Sequence, residues 1–284
     1  MKGDLKVEWF LPEPDVPVRQ GDILVSRDPQ TGSLDEVCLV ITADCDISKG
    51  KFGRQLACLR VLTVKHYVAH IWAKRKLDKM IKEEAKKLRA QLAKWQSLAT
   101  GQESTLTEEA ARIWIARVEP SAICESIGVP DDGSRKKLVG VLATYREAFA
   151  GLDVPREPLT ALVAFKTTLA RTDPKTCRQQ TLQQAQQEPL PEDAFLLPEL
   201  PLTADTPCVV MLREIVGVSS DAVCFRATDA TSSDSFLRVC RLEPTYKYAV
   251  SQAFGILYSR IGLPDEYERR CKDVFSGIAS FEWE

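Results

Sequence analysis

Three stretches of this sequence carry residue types that can do chemistry. The first is Thr42-Ala43-Asp44-Cys45-Asp46-Ile47, two carboxylates flanking a thiol just past an apolar run. Carboxylates in that pattern can hold a cation or orient an amine, and a strand end is a rigid place from which to present them. Asp44 and Asp46 have an ordinary structural use as well, accepting turn amides as in Asx-turns. Negative neighbours disfavour a thiolate, which makes Cys45 a poor nucleophile. If the chain is a hydrolase, its catalytic groups are Asp44, Cys45, Asp46 and Thr63, the last being a polar residue at the end of the next apolar run.

The second stretch holds the two histidines, His66 and His70. Four residues apart on a helix, they would share one face, as a metal requires. No Glu lies between them in the metalloprotease pattern, Lys65 adjoins them, and the segment has a strand-like reading as well. No metal or cofactor site is assigned to it.

The third stretch is basic. Between Lys74 and Lys94, nine Lys or Arg face three acidic residues (Asp78, Glu83, Glu84), a local charge of +6 in a chain of −2, so the rest carries −8. Lys74, Arg75, Lys79, Lys82, Lys86, Lys87 and Arg89 are the candidate contacts to a partner. Such a helix is a solvated face, a nucleic-acid contact or a dock for an acidic protein, and only the second predicts binding that weakens steeply with salt. There is no P-loop, kinase signature or GxGxxG, which argues against the familiar nucleotide chemistries.

The elements that position these residues follow from pattern. The chain has 284 residues, 44% hydrophobic and 27% charged, an ordinary globular composition. It has no apolar run of membrane-spanning length and no signal-peptide start, so no membrane contact is expected and the default location is the cytoplasm. Its nine cysteines form no CxxC pair. Cys38, Cys58, Cys208, Cys224 and Cys240 lie in apolar or alternating runs, where a reduced thiol acts as a small hydrophobe.

Strands are expected at Gly21–Val25, Val37–Thr42 and Leu56–Val64, with a turn at Asp28–Ser33. A second strand block covers Phe195–Leu197, 208–212, 222–225 and 236–240. Between the blocks, Leu77, Ile81, Leu88, Leu92 and Trp95 mark one stripe of a helix from Trp72 to Leu98. Further helices are expected from Thr105 or Thr107 to Val118 and from Ser134 to Ala150. Residues 160–170 are ambiguous between helix and strand, and the Pro- and Gln-rich 173–206 between a short polar helix and a loop. A helix over Pro244–Arg260 closes the chain, stopped by Gly262-Leu263-Pro264. The likeness of Ile127-Gly128-Val129-Pro130 to Ile261-Gly262-Leu263-Pro264 is two similar helix exits rather than a repeat.

Neither strand block makes a comfortable core alone. The fold expected is therefore α+β: a discontinuous sheet or SH3-like β-barrel from residues 18–65 and 194–284, including the C-terminal helix, with a long helical insertion over 72–190.

Gly21-Asp22-Ile23-Leu24, the Asp28-Pro29 to Gly32-Ser33 turn and the Val37–Thr42 strand together resemble the opening of the MazF/PemK-type toxin fold, a small SH3-like barrel whose members often cleave RNA. The resemblance covers about 45 residues and implies a barrel. The family's Arg-Pro pair, whose Arg would stabilise phosphate during cleavage, falls here on Glu36-Val37, and a carboxylate there repels phosphate. Thr63 matches the family's second polar position. Cys45-Asp46 and the Arg260–Pro264 ending also resemble uncharacterised prokaryotic proteins.

The sequence therefore points first to a non-enzymatic binding or adaptor protein of a prokaryotic cell, in a toxin–antitoxin or phage-defence setting, with a protein partner ahead of nucleic acid. The alternatives are a MazF-like ribonuclease or other hydrolase, and a nucleic-acid-binding protein using the basic helix 74–94.

Overall fold

Gly21 opens the sheet. Its φ of +92° is open to glycine without strain, and the turn lets its N–H reach the Val40 carbonyl while its own carbonyl accepts from the Leu242 N–H, both at 2.9 Å. A Cβ here would stand 3.0 Å from the Lys247 side chain, so close packing as well as φ requires glycine. The computed structural model describes residues 8–28, 31–202, 207–230, 232, 234–259, 266 and 269–270. They divide into a unit built from both ends of the chain (Met1–Val61 with Pro191–Glu284) and a unit built from its middle (Leu62–Leu190).

Along the chain, β1 (Trp9–Phe10) and β2 (Asp22–Arg27) are followed by a turn in which the Gly32 N–H reaches Asp28 O at 2.7 Å and the Thr31 N–H reaches Asp28 Oδ1 at 2.9 Å. Next come β3 (Leu34–Val40), the single-turn helix α1 (Asp44–Ser48) and β4 (Gln55–Thr63). The middle unit is helical: α2 (Val64–His66), a π-helical turn over Tyr67–Trp72, α3 (Ala73–Thr100), α4 (Glu108–Arg117), α5 (Pro120–Ser126), α6 (Gly133–Ala150), α7 (Pro158–Ala170) and α8 (Pro174–Gln187). The chain then adds β5 (Ala194–Leu197), β6 (Cys208–Ser219), β7 (Val223–Cys224), β8 (Phe236–Leu242) and α9 (Pro244–Tyr258).

The strands form one sheet in the order β1-β8-β2-β3-β4-β6-β5, with β7 parallel to β8 off this path. It is a curled antiparallel half-barrel to which both ends of the chain contribute. β8 lies between β1 and β2, with Ile23 opposite Cys240, so the N- and C-terminal strand blocks share hydrogen bonds. The apolar run of β2 is buried on both faces. Ile23 and Val25 join Leu39, Leu59, Val210 and Cys240 beneath Val250 and Leu257 of α9, whereas Leu24 joins Cys38, Val40, Leu56 and Cys58 on the other side. At about 1.5–3 kcal/mol per fully buried large aliphatic side chain, these two clusters supply the main drive for closing the sheet.

At the rim, buried Asp22 accepts from Arg241 through both carboxylate oxygens and from the Arg19 N–H at 2.8 Å. Burial pushes its carboxyl above the ordinary range, against the pull of Arg241. Arg238, also buried, donates to the carbonyls of Val16 (2.6 Å) and Glu13 (2.8 Å), pinning the entering chain.

Helix formation in the middle unit follows local signals. Thr107 caps α4 by accepting from the Ala110 N–H, Asp173 caps α8 through the Thr176 N–H, and Pro starts α5, α7 and α8. The ambiguous stretch is the helix α7, its Leu159, Leu162, Val163 and Phe165 buried on one side. The Gln-rich stretch is α8, anchored by buried Cys177 and Thr181.

Several elements differ from expectation. α3 is continuous with helical structure from Val64, so His66 and His70 lie on a helix and not a strand. The Asp44 stretch begins α1. β6 runs seven residues past Leu212 and through Gly217, where Gln55 Oε1 packs 2.5 Å from the position a Cβ would take. β7 has only two residues. The Gly262-Leu263-Pro264 stop and the second of the two similar helix exits lie outside the described residues. No described helix is long and apolar enough to cross a membrane.

Candidate functional site

Asp44 is held in place as an anchor. Its Oδ1 accepts from the Gln20 N–H at 2.9 Å and its Oδ2 from Lys247 Nζ at 3.0 Å, tying α1 to the entry of β2 and to the first turn of α9. Gln20 Nε2 also donates to Ser251 Oγ at 3.0 Å, one turn further along α9. Partial burial works to raise the Asp44 carboxyl, but the Lys247 ammonium and the Gln20 amide outweigh it and hold the carboxyl below the usual range.

Cys45 is exposed, its thiol 3.8 Å from Asp46 Oδ1. Thr42 Oγ1 accepts from the Ala57 N–H at 2.7 Å, closing the end of β3 against β4. Thr63 belongs to the helical unit, where its Oγ1 accepts from the His66 N–H at 3.1 Å and caps α2. α1 thus gathers Asp44, Cys45 and Asp46, while Thr63 serves a different unit. Glu36 pairs with Arg60 at 3.2 Å, and Arg60 also lies 3.6 Å from Glu214. The cation on this part of the sheet is therefore neutralised from two sides.

His66 and His70 stack at 4.3 Å between ring centroids, and His70 Nε2 lies 3.7 Å from Glu157 Oε1. Among the described residues no group of three or more His, Cys, Asp or Glu is arranged to hold a metal ion.

The basic helix sorts its cations by face. Leu77, Ala85, Leu88 and Leu92 of α3 are buried. Arg75, Lys79, Lys82 and Lys86 recur at steps of four, three and four, which on a helix turning 100° per residue places them within an arc of about 60° and along about 16 Å of axis. Lys79, Lys82 and Lys86 are exposed. Lys79 has only a long, solvent-open contact to Glu83 at 3.8 Å. Lys82 and Lys86 make no ion pair among the described residues, and a charge left in water this way is available to a partner.

The remaining candidates sit elsewhere. Lys87 donates to Glu84 at 2.6 Å, Arg89 Nε donates to the Leu106 carbonyl at 2.8 Å, and exposed Lys74 falls about 80° outside the stripe. Sequence reasoning gave the run of charge without separating the continuous stripe from cations engaged inside the unit. Helical phase alone would have found the stripe; the Leu106 contact needed the α3–α4 connection.

Charge is also partitioned between the units. Residues 62–190 hold 21 basic and 15 acidic residues, net +6, and the rest of the chain holds 17 and 25, net −8. Outside Lys74–Lys94 the helical unit balances at twelve of each sign. Its whole excess therefore sits on α3.

None of the known protein families, curated proteins or solved structures compared with this chain matches it.

Proposed function

We propose that this protein is a non-enzymatic nucleic-acid-binding adaptor, in which the half-barrel is a scaffold and α3 lays Arg75, Lys79, Lys82 and Lys86 along a phosphate backbone. The observation that carries this reading is the exposed run of Lys79, Lys82 and Lys86 along one face of α3, in a unit whose entire positive excess lies on that helix. Evenly repeated cations suit evenly repeated phosphates, and such contacts give affinity without reading base sequence. A protein partner, placed ahead of nucleic acid by the sequence, would meet α3 through an acidic surface, and such a surface seldom repeats its charge so regularly.

The β2–β3 hairpin and its resemblance to the MazF/PemK opening are the reason for reading the half-barrel as SH3-like and the setting as prokaryotic toxin–antitoxin or phage defence. A ribonuclease site on the sheet is disfavoured by charge. Asp44 is engaged by Lys247, and Glu36 with Glu214 neutralises Arg60.

The test is a fluorescence-anisotropy titration of labelled 20-mer DNA and RNA, single- and double-stranded, at 50 mM salt. Saturable binding that the triple variant Lys79→Gln/Lys82→Gln/Lys86→Gln weakens at least tenfold supports the reading. Gln keeps good helix propensity, so the fold is retained. Absence of binding to all four probes refutes it.

A further inference from the structure

The helical unit also carries an open cleft of about 820 Å³ lined by α3, α6, α7 and α8, within the roughly 300–1,000 Å³ usual for small-molecule sites. α3 contributes Met80 and Glu84 to its lining, roughly 100–160° around the helix from the basic stripe.

Its lining combines two chemistries. Met80, Val141 and Leu169 give an apolar wall, with the Tyr145 ring beside it. Lys136, Lys137, Lys166 and Arg171 bring four positive charges. Glu84 brings the one negative charge of the lining, and both its oxygens are engaged: Oε1 by Lys87 at 2.6 Å and Oε2 by the Tyr145 hydroxyl at 2.7 Å.

Two of the cations are held in a way that leaves their charge uncompensated. Lys166 is half-buried, yet its ammonium donates to neutral oxygens, Thr181 Oγ1 at 3.2 Å and Gln184 Oε1 at 3.1 Å. An ammonium has three protons to donate, and burial without an anion is unfavourable. Arg171 caps α7 with φ +51°, the one positive φ outside glycine among the described residues. Glycine would take this left-handed position without strain. The arginine instead brings a guanidinium to the cleft, fixed by a 2.7 Å bond from Nη2 to Thr144 Oγ1, with its other N–H groups making no hydrogen bond among the described residues.

An apolar wall beside clustered, uncompensated cations fits a ligand with an apolar or aromatic body and a multiply charged anionic end. We propose that this cavity binds a phosphorylated small molecule of nucleotide size, its phosphates on Lys166, Arg171 and the Lys136–Lys137 rim and its body against Met80, Val141 and Leu169. This site is independent of the α3 stripe and does not rest on the nucleic-acid reading.

The experiment is calorimetric titration of the full chain with ATP, AMP and adenosine. ATP is expected to bind saturably, AMP more weakly and adenosine not at all. Arg171→Gly removes the guanidinium at a position where glycine is at home, so the fold is kept, and Lys166→Gln keeps the bonds to neutral neighbours; each is expected to weaken ATP binding at least tenfold. Lys82→Gln/Lys86→Gln, on the other side of α3, is expected to leave it unchanged. The proposal is overturned if neither ATP nor AMP binds saturably, if adenosine binds as well as ATP, if both cavity variants bind like the parent, or if the stripe variant alone abolishes binding.

Discussion

Asp22 of β2 and Arg241 of β8 are 219 positions apart in the chain and meet as a two-point ion pair, Nε to Oδ1 at 2.6 Å and Nη2 to Oδ2 at 3.0 Å. Arg238 adds a second guanidinium 3.9 Å from the same carboxylate. This is the polar clasp between the two ends of the chain, set at the edge of the shared apolar core.

Removing one partner leaves a buried charge unmatched. Asp22→Ala is expected to lower stability by about 3–5 kcal/mol, since it strands Arg241 and Arg238 together. Urea unfolding followed by circular dichroism measures it; a loss below about 1 kcal/mol would mean that water replaces the carboxylate freely.

The Asp44 contacts give a pH signature. In the folded chain this carboxyl ionises at lower pH than in the unfolded chain, where the ordinary value is about 4. The stabilisation is therefore complete above about pH 4 and is lost as pH falls through the depressed folded value. With a side chain 37% exposed, solvent screening limits it. Asp44→Asn is expected to cost about 1 kcal/mol at pH 7 and progressively less below pH 4. A difference that stays constant with pH would contradict the assignment.

Gly128, which follows α5, faces two constraints: φ is +67°, and a Cβ would stand 2.7 Å from the Ala99 Cβ of α3. Gly128→Ala is expected to cost about 2–3 kcal/mol, combining left-handed strain with overpacking. Adding Ala99→Gly should recover the packing part and leave the strain, giving a coupling of about 1 kcal/mol in a double-mutant cycle. Strict additivity would remove the clash from the account.

Much of this fold was legible locally. The apolar runs of β2, β3 and β4, the Thr107 cap and the stripe of α3 each announce their element within a short window, because periodicity and capping are short-range signals. The pairing of the strand blocks was legible by a different argument, that neither block could bury its faces alone. The extension of β6 was not, since Gly217 reads as a breaker until Gln55 is seen beside it. Nor was the Asp22–Arg241 clasp, which depends on a register between segments more than two hundred residues apart.

The candidate sites divide in the same way. The basic run was visible as charge, and its continuous stripe follows from helical phase. The role of Asp44 turned on Lys247, far along the sequence, so the choice between a site and a structural anchor could not be made from Asp44-Cys45-Asp46 alone. The cavity was invisible because its cations come from α6 and α7 and its apolar wall partly from α3.

The most direct test of the central claim is the salt dependence of duplex binding, measured from 50 to 200 mM. Four phosphate contacts predict a slope of log K against log salt of about −3.6, a loss of affinity of about a hundredfold over that range, falling to about −0.9 in the Lys79→Gln/Lys82→Gln/Lys86→Gln variant. A parent slope near zero, or a triple variant whose slope equals the parent's, would show that α3 does not track a phosphate backbone.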